Sequence, residues 1–299
     1  MPCAEIRPCG PYSLRLSARH AGDATRRFAE GVFSSTLAPE GRLEQARAWQ
    51  RPDGVVCLQA GSEAGLAQLR FVLALDDDHS PFLERFAADR LLAAPIRQLR
   101  GLRPLRTATV AHALLRALAG QLVTAAEARA TERLVVRRAT AALAGLHAAP
   151  TTAELGRFSP AALARLGLGA RRGAALVRLC RSIDLEGLKS QPTALVAARL
   201  LRERGIGPWS VGVVCIQGLG RRERGLARDL GLVKLASALA GRRLEPEQSD
   251  VLLEPYGEWA GLASVYLLAG YHAGLVGLRH EDRDSRDGQD RRVAARGAA

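Results

Sequence analysis

The sequence is poor in aromatic residues and nearly lacks methionine and lysine. Phe, Trp and Tyr make up 4% of the 299 residues, and there is one methionine. Lys189 and Lys234 are the only lysines, so any basic surface has to be built from arginine. This composition excludes a cleft that is lined by many aromatic rings.

Cysteine pairs and long apolar runs are also missing. The five cysteines include no Cys-x-x-Cys pair, so the sequence indicates neither a structural zinc site, an iron–sulfur loop nor a disulfide framework. It contains no secretory signal at its N-terminus and no apolar run of membrane-spanning length. We therefore expect no metal, no membrane association and a reducing compartment, the cytoplasm.

The basic excess is the strongest compositional feature. A net charge of +13 results from 43 Lys and Arg residues against 30 Asp and Glu residues. Such an excess favours a polyanionic partner, because each phosphate contact releases counterions. The alternative is a compositional bias towards Ala, Gly and Arg. That bias explains the choice of Arg over Lys but leaves the excess of basic residues unexplained, so nucleic acid is favoured.

Residues 1–78 have a mixed β and α character. Tyr12, Leu14 and Leu16 alternate with polar residues, which predicts a half-buried strand. Further strands are predicted at Gly31–Thr36, Leu43–Trp49 and Val55–Ala60. Pro-Glu-Gly and Pro-Asp-Gly sequences separate the last three strands and indicate turns.

Residues 79–278 are predominantly helical, and residues 279–299 read as a disordered charged tail. Thr124 and Glu127 have the spacing of a capping box, which predicts a helix through Arg138. The other predicted helices begin at Ser80 or span Thr109–Ala119, Pro160–Arg165, Ala170–Ser182, Ala194–Leu201, Val211–Ile216, Leu230–Leu239, Pro246–Val251 and Pro255–Tyr271.

A glycine-rich turn stands between two of these helices. Its sequence is Gly205-Ile206-Gly207-Pro208-Trp209-Ser210. Glycine is placed where a chain needs positive φ or where its backbone approaches another group closely, and Pro208 suits the first position of a helix. The amides of the turn and of the following first helical turn have no intrahelical acceptor, so they are available to an anion such as phosphate.

This stretch resembles the helix-hairpin-helix of the DNA glycosylase superfamily, and Asp229 stands where that superfamily carries its catalytic aspartate. Residues 114–129, LLRALAGQLVTAAEAR, resemble the helix–loop–helix of the 3-methyladenine DNA glycosylase II (AlkA-type) family. The resemblance implies an α+β fold, with a small N-terminal antiparallel β-sheet domain with helices before an all-α helix-hairpin-helix core. It implies a monofunctional hydrolase of N-glycosidic bonds that excises alkylated purines such as 3-methyladenine and 7-methylguanine in base excision repair.

On this resemblance Asp229 is the catalytic residue. As the glycosidic bond breaks, the sugar gains oxocarbenium character, which a nearby carboxylate stabilises while it activates a water. A purine that is already cationic leaves as a neutral base, so no general acid is required. The alternative role for Asp229 is the N-cap of the next helix, and the two roles are compatible. Arg228 would favour the ionised form if the two side chains met.

The resemblance also implies the binding residues. In the family the loop after the first helix enters the minor groove, and Leu122 would fill the gap left by a flipped nucleotide; the alternative is that Leu122 packs on the core. The other DNA-binding candidates are Gln121, Arg204, Gly205, Gly207, Trp209, Ser210 and Lys234. Trp209, Val213 and Tyr266 would line the base pocket, although Trp209 also suits a core position. Carbonyls of the turn would bridge a monovalent cation, and no other cofactor is expected.

Trp209 occupies the position where relatives resembling endonuclease III carry a nucleophilic lysine, so we expect no strand-cleaving lyase activity. The partner would be double-stranded DNA with damaged bases, bound by a monomer. Two alternatives stay open. One is a non-catalytic hairpin protein that binds damaged DNA, and the other is a glycosylase for oxidised or deaminated bases.

Overall fold

A five-stranded antiparallel sheet forms the N-terminal part of the chain. The computed structural model describes residues 1–276, so the predicted tail at 279–299 lies outside the described residues. The strands are Cys3–Ile6 (β1), Arg26–Ala29 (β2), Val32–Leu37 (β3), Glu44–Gln50 (β4) and Val56–Gln59 (β5). The order in the sheet is β1-β5-β4-β3-β2, with Phe33 opposite Ala48 and Ala48 opposite Leu58.

Two helices, Leu14–Ala18 (α1) and Glu63–Val72 (α2), cover one face of this sheet. Successive strand residues point to opposite faces, and the residues on the covered face, such as Phe33 and Leu58, are fully buried against Leu14 and Leu69. The sheet and these helices therefore have a hydrophobic cluster of their own.

The strand predicted through Tyr12, Leu14 and Leu16 is wrong. The side chain of Ser13 accepts a hydrogen bond from the Leu16 amide and caps α1. Leu14 and Ala18 are the buried residues of this helix. An apolar residue at i and i+4 fits a helix as well as alternation fits a strand over so short a segment.

The rest of the described chain is helical apart from a two-stranded antiparallel hairpin, in which Ala142–Leu143 (β6) pairs with Leu146–His147 (β7). Its α-helices are Ser80–Arg85 (α3), Ala93–Gln98 (α4), Val110–Ala119 (α5), Ala125–Ala139 (α6), Thr152–Gly156 (α7), Pro160–Arg165 (α8), Ala170–Ser182 (α9), Thr193–Leu201 (α10), Pro208–Val213 (α11), Leu230–Ala240 (α12) and Ala260–His272 (α13). A π-helical segment, Val214–Leu219, continues α11. Short 3₁₀ helices stand at Pro39–Gly41, Glu186–Ser190, Pro246–Leu252 and Glu254–Trp259.

The closing helices are less regular than predicted. The segments predicted as helices from Pro246 and from Pro255 begin with 3₁₀ turns, and α13 begins only at Ala260. Gly257 has φ 50° and ψ −120°, outside the helical region, so it interrupts the second segment. No helix among residues 1–276 has the length and apolar character needed to cross a membrane.

Helix α5 is the centre of the helical part. Thr109 caps it by accepting a hydrogen bond from the His112 amide, and nine of its ten residues are buried. It packs against α6, α9, α11 and the π-helical segment. A second cluster joins α3, α4, α12 and α13. The hairpin of α10 and α11 packs into the cluster around α5, and α12 packs into the second cluster, so the two clusters fix where the hairpin and the N-terminus of α12 meet.

Candidate active site

The hairpin turn between α10 and α11 uses its two glycines differently. Gly205 has φ 92°, a conformation that favours glycine. Gly207 has φ −103°, which any residue adopts, and a Cβ placed there would meet no atom within 4 Å. Nothing within the described chain explains why residue 207 is glycine.

Asp229 is the N-cap of α12, as predicted, and it is half-buried. Its Oδ1 accepts a hydrogen bond from the Gly231 amide at 2.8 Å. Its Oδ2 accepts one from the indole N–H of Trp209, also at 2.8 Å. The carboxylate therefore lies beside the first turn of α11, twenty residues away along the chain, and both of its oxygens are held.

Arg228 does not meet Asp229. Its guanidinium pairs with Glu247 at 2.9 Å and with Asp250 at 3.0 Å. The backbone of Arg228 has φ 63°, and this left-handed conformation directs consecutive side chains apart. The condition under which Arg228 would favour the ionised form of Asp229, contact between the two side chains, is therefore not met.

The loop between α5 and α6, residues 120–123, lies beside the hairpin turn. The side chain of Leu122 is 103% exposed and its backbone has φ 56°. The alternative in which Leu122 packs on the core is therefore wrong. The predicted capping box follows this loop, since Thr124 and Glu127 exchange both hydrogen bonds at the start of α6.

Side-chain hydrogen bonds tie this loop to the hairpin. The Nε2 of Gln121 donates to the Gly205 carbonyl at 2.8 Å and to the Ser210 hydroxyl at 2.9 Å. The guanidinium of Arg172 donates to the Gln121 carbonyl at 3.0 Å. Gln121, predicted as a DNA contact, thus uses its amide to join loop and turn. Sequence reasoning gave Arg172 no role in this arrangement.

Trp209 is half-buried at the junction of these elements. A Cβ added to Gly120 would lie 2.6 Å from its Cη2, so the indole ring occupies the space beside that glycine. Ser210 is buried, and its backbone N–H lies in the first turn of α11, where it has no intrahelical acceptor. Arg204 and Lys234 are both exposed.

Two of the arginines near the hairpin have structural roles. Arg221 donates to the carbonyls of Lys189 and Gln191. The guanidinium of Arg222 lies 3.9 Å from the centroid of the Trp259 ring. These contacts hold both side chains against the protein, while Arg202 and Arg204 remain exposed.

The prediction that Val213 and Tyr266 line a base pocket is wrong. Val213 is 3% exposed and Tyr266 is 0% exposed. The Tyr266 hydroxyl donates to the Leu102 carbonyl at 3.2 Å. In a chain with few aromatics, this ring serves the core beside Phe82 and is not available to a ligand. Leu230, which sequence reasoning missed, is 66% exposed directly after Asp229.

The two described cavities lie elsewhere. One of about 810 Å³ is lined by residues that include His79, Arg106 and Glu223, and one of about 590 Å³ lies at Phe158. Neither lining includes Asp229 or Trp209. Asp229 and Trp209 are themselves half-buried. Residues 1–276 contain no cluster of His, Cys, Asp and Glu that could hold a metal ion.

Solved structures of DNA glycosylases share this fold. A 3-methyladenine DNA glycosylase from Archaeoglobus fulgidus superposes with a TM-score of 0.78 at 19% identity, covering 90% of this chain and 98% of that one. The 8-oxoguanine glycosylase/lyase of Clostridium acetobutylicum, in complex with double-stranded DNA, gives 0.73 at 17% identity and covers 91% and 97%. The α+β fold class predicted from the sequence is confirmed, and the architecture is that of the helix-hairpin-helix DNA glycosylases.

The curated relatives that the chain resembles are named as DNA glycosylases and DNA repair enzymes. The chain is 25% identical to the DNA-3-methyladenine glycosylase of Bacillus subtilis over 64% of this chain and 67% of that protein. It is 29% identical to a probable bifunctional transcriptional activator/DNA repair enzyme AlkA of Mycobacterium tuberculosis, over 86% of this chain and 57% of that protein. The chain thus spans little more than half of this second relative. No family model matches the chain. The predicted resemblance to AlkA-type 3-methyladenine glycosylases is confirmed.

Proposed function

We propose that this protein is a monofunctional DNA glycosylase that releases alkylated purines from duplex DNA in base excision repair, acting as a monomer. The glycosylase fold and the names of the relatives support the class. One observation carries the proposal. The carboxylate of Asp229 is held at the hairpin turn by Trp209, so a single surface combines an anion-binding turn with a fixed anion.

The hairpin turn would hold the DNA backbone. Gly207 keeps an ordinary φ and faces open space, which is the arrangement needed where a phosphate approaches main-chain amides closely. The N–H groups of Trp209 and Ser210 belong to the first turn of α11 and have no intrahelical acceptor. The exposed side chains of Arg204 and Lys234 add positive charge.

Leu122 would fill the gap that an extruded nucleotide leaves. An enzyme cannot reach the glycosidic bond of a stacked base, so the nucleotide has to leave the helix. An apolar side chain can then cover the exposed faces of the neighbouring bases. Leu122 is the most exposed large apolar side chain among residues 1–276, and its loop is hydrogen-bonded to the turn that would hold the phosphates.

Asp229 would assist both bond breaking and water attack. As the C1′–N bond breaks, its electron pair leaves with the base and the sugar becomes cationic, and the carboxylate stabilises that cation. Water then adds to C1′ and loses a proton, which Asp229 can accept. The products are the free base and an abasic site.

The surroundings of Asp229 favour a cationic substrate. Within residues 1–276 its hydrogen-bond partners are an indole and a backbone amide, so no acid stands ready to protonate a neutral leaving base. An alkylated purine such as 3-methyladenine or 7-methylguanine carries its positive charge already and leaves as a neutral molecule. One carboxylate is then a sufficient catalytic group.

Strand cleavage is not part of the proposal. A lyase needs an amine that attacks the sugar carbon and forms a Schiff base. Trp209 stands at the position where the lyases would place it. Lys189 pairs with Glu186 at 2.7 Å, and Lys234 lies beyond the first turn of α12.

A monovalent cation at the turn would help to bind the DNA phosphate and would take part in no chemical step. The carbonyls of Arg204 and Gly205 accept hydrogen bonds from Arg178 and Gln121. A bound cation would therefore rely on the other carbonyls of the turn, with these two contributing their second lone pairs.

The test is incubation of the protein with dimethyl-sulfate-treated duplex DNA, followed by chromatography of the released bases. We expect 3-methyladenine and 7-methylguanine from the wild type and none from Asp229→Asn, while both bind DNA containing an abasic-site analogue equally. Glu84→Gln, at an exposed residue of α3, is the control and should release bases at the wild-type rate.

The same assay separates the two alternatives. A wild type that binds the abasic analogue but releases no base would indicate a damage-binding protein without catalysis. Release from duplexes containing 8-oxoguanine or uracil, with no release of methylated bases, would indicate the other glycosylase class. Borohydride trapping tests for lyase activity, and we expect no covalent complex.

A further inference from the structure

Trp209 contacts the proposed catalytic group directly. Its Nε1–H donates to Oδ2 of Asp229 at 2.8 Å, while the Gly231 amide donates to Oδ1. A carboxylate that is held by a single donor can still exchange its two oxygens by turning about the Cβ–Cγ bond. Two donors on opposite oxygens define the direction of the whole group, and a hydrogen bond to a charged acceptor is stronger than one between neutral groups.

We propose that Trp209 is a positioning residue that orients the Asp229 carboxylate towards the sugar through its indole N–H. This inference rests on the proposed function, and it gives Trp209 a role other than that of a wall of the base pocket. Electrostatic stabilisation of a transition state depends on groups that are already aimed where charge develops. A carboxylate that must reorient during the reaction loses part of that advantage.

The loop that carries Leu122 holds the indole in place. Gly120 has φ −82° and ψ −7°, a helical conformation that alanine prefers over glycine. The backbone therefore does not require glycine at this position. The ring requires it, because a Cβ at residue 120 would lie 2.6 Å from Cη2 of Trp209. Gln121 fastens the same loop to the hairpin through Gly205 and Ser210.

A change at Gly120 should therefore reach Asp229 through the indole ring. Gly120→Ala adds one methyl group that the ring must avoid, and displacing the ring weakens its bond to Asp229. Phe at position 209 has neither the Nε1–H nor the Cη2 atom. The same Gly120→Ala change should then have little effect in a Trp209→Phe background.

The experiment measures single-turnover release of 7-methylguanine from a duplex oligonucleotide that carries one such base. Affinity is measured separately with a duplex containing a tetrahydrofuran abasic-site analogue. We expect Trp209→Phe to lower the rate about ten- to hundredfold, the effect of losing one hydrogen bond to a charged group, with unchanged affinity. Gly120→Ala should also lower the rate, and the two changes together should not multiply.

Trp49→Phe is the matched control. Trp49 lies in β4 of the N-terminal sheet and is partly exposed, so this variant loses an indole without touching the site. We expect its rate and affinity to equal those of the wild type. Thermal unfolding of each variant establishes that it is folded. If Trp209→Phe does not fold, the rate of Gly120→Ala alone tests the inference.

Two results would overturn the inference. One is a wild-type rate in Trp209→Phe, or in Gly120→Ala alone if Trp209→Phe does not fold. The other is a parallel loss of rate and affinity, which would make Trp209 a DNA or base contact. The Asp229→Asn variant distinguishes failure of this inference from failure of the proposed function. If Asp229→Asn still releases the base, Asp229 is not the catalytic residue. If Asp229→Asn is inactive while Trp209→Phe has the wild-type rate, only the positioning role of the indole is refuted.

Discussion

Positions 205 and 207 are glycine for different physical reasons. Gly205 has φ 92°, so the backbone conformation of the turn favours glycine there. Gly207 has φ −103° with open space beyond its Cα, so the reason for glycine lies in a bound partner, which we propose is the DNA backbone. Identical residues two positions apart should therefore respond differently to the same substitution.

We predict that Gly205→Ala lowers the free energy of unfolding by about 1–2 kcal/mol, because an alanine is strained in the left-handed region. Gly207→Ala should leave stability unchanged or raise it by up to about 1 kcal/mol through the unfolded state. It should nevertheless weaken binding of duplex DNA, because the added methyl group stands where the phosphate approaches. Urea unfolding and fluorescence anisotropy measure the two effects. Normal DNA binding by Gly207→Ala would contradict the phosphate grip.

Adjacency in sequence misled at Arg228. The residue precedes the catalytic candidate, which suggested an ion pair between neighbours. Its left-handed backbone instead sends the guanidinium to Glu247 and Asp250 in a 3₁₀ segment about twenty residues away. A positive φ at a non-glycine residue has no reliable sequence signal, since arginine is not enriched there. Trp209, the side-chain partner of Asp229, lies twenty residues away along the chain, so this contact was not predictable from the sequence either.

At the scale of elements, the loop of residues 120–123 allows a clean test of the wedge. Leu122→Ala removes an exposed side chain, so we expect no loss of stability. Release of a methylated base from duplex DNA should fall about tenfold or more, because the unstacked step is no longer covered. Release from single-stranded DNA should change much less. Single-turnover assays on both substrates provide the comparison.

Leu195→Ala is the control for the wedge. Leu195 is also exposed, but it lies in the first helix of the hairpin, α10, rather than on the loop. This variant should match the wild type on both substrates. If Leu122→Ala behaved as Leu195→Ala does, the loop would have no part in extruding the base.

Elements with strong local signals were predictable, and weak ones were not. Helix α9 spans the predicted Ala170–Ser182, and the capping box at Thr124 starts α6. Both depend on neighbours within one turn. Strand β1, Cys3–Ile6, was missed because it exists through its pairing with β5, fifty or more residues away. The segment at Leu14 satisfied two periods at once, and packing on the sheet selected the helix.

The candidate site also combines features that were predictable with features that were not. The hairpin, the loop of residues 120–123 and the N-cap role of Asp229 follow from local sequence, and the structure brings them together. The predicted pocket residues Val213 and Tyr266 failed because burial is a property of the whole fold. The sequence does not indicate which of its few aromatic rings are buried in the core.

At the scale of the whole molecule, a buried charge network joins the N-terminal sheet to the helical part. Arg116 of α5 binds Asp23, next to β2, at 2.7 Å and Glu132 of α6 at 2.6 Å. Arg26 and His112 complete the network through Asp23 and Glu132. Arg26 and Glu132 are buried and the side chains of Arg116 and Asp23 are mostly buried, so the loss of one charged partner leaves a poorly compensated charge. The network makes the two parts mutually dependent.

The network predicts a specific loss of stability in acid. Burial raises the pKa of Glu132, but the Arg116 guanidinium and the hydrogen bond with His112 outweigh it and lower that pKa from 4.5 to about 2. A lowered carboxyl pKa contributes stability that is complete above about pH 4.5 and is lost as pH falls towards 2. Arg26 and Arg116 lower the pKa of Asp23 in the same way, against its burial. The free energy of unfolding should therefore fall between pH 5 and pH 2.

Glu132→Gln isolates the contribution of this carboxylate. We expect it to cost about 3 kcal/mol at pH 7, because Arg116 loses a buried charged partner. The variant should also show a shallower decline in acid, since residue 132 no longer titrates and the remaining slope comes from the other carboxyls of lowered pKa, such as Asp23 and Asp77. Urea unfolding at several pH values measures both effects, with Glu84→Gln at an exposed site as the control. An acid dependence as steep as that of the wild type would show that the decline originates outside this network.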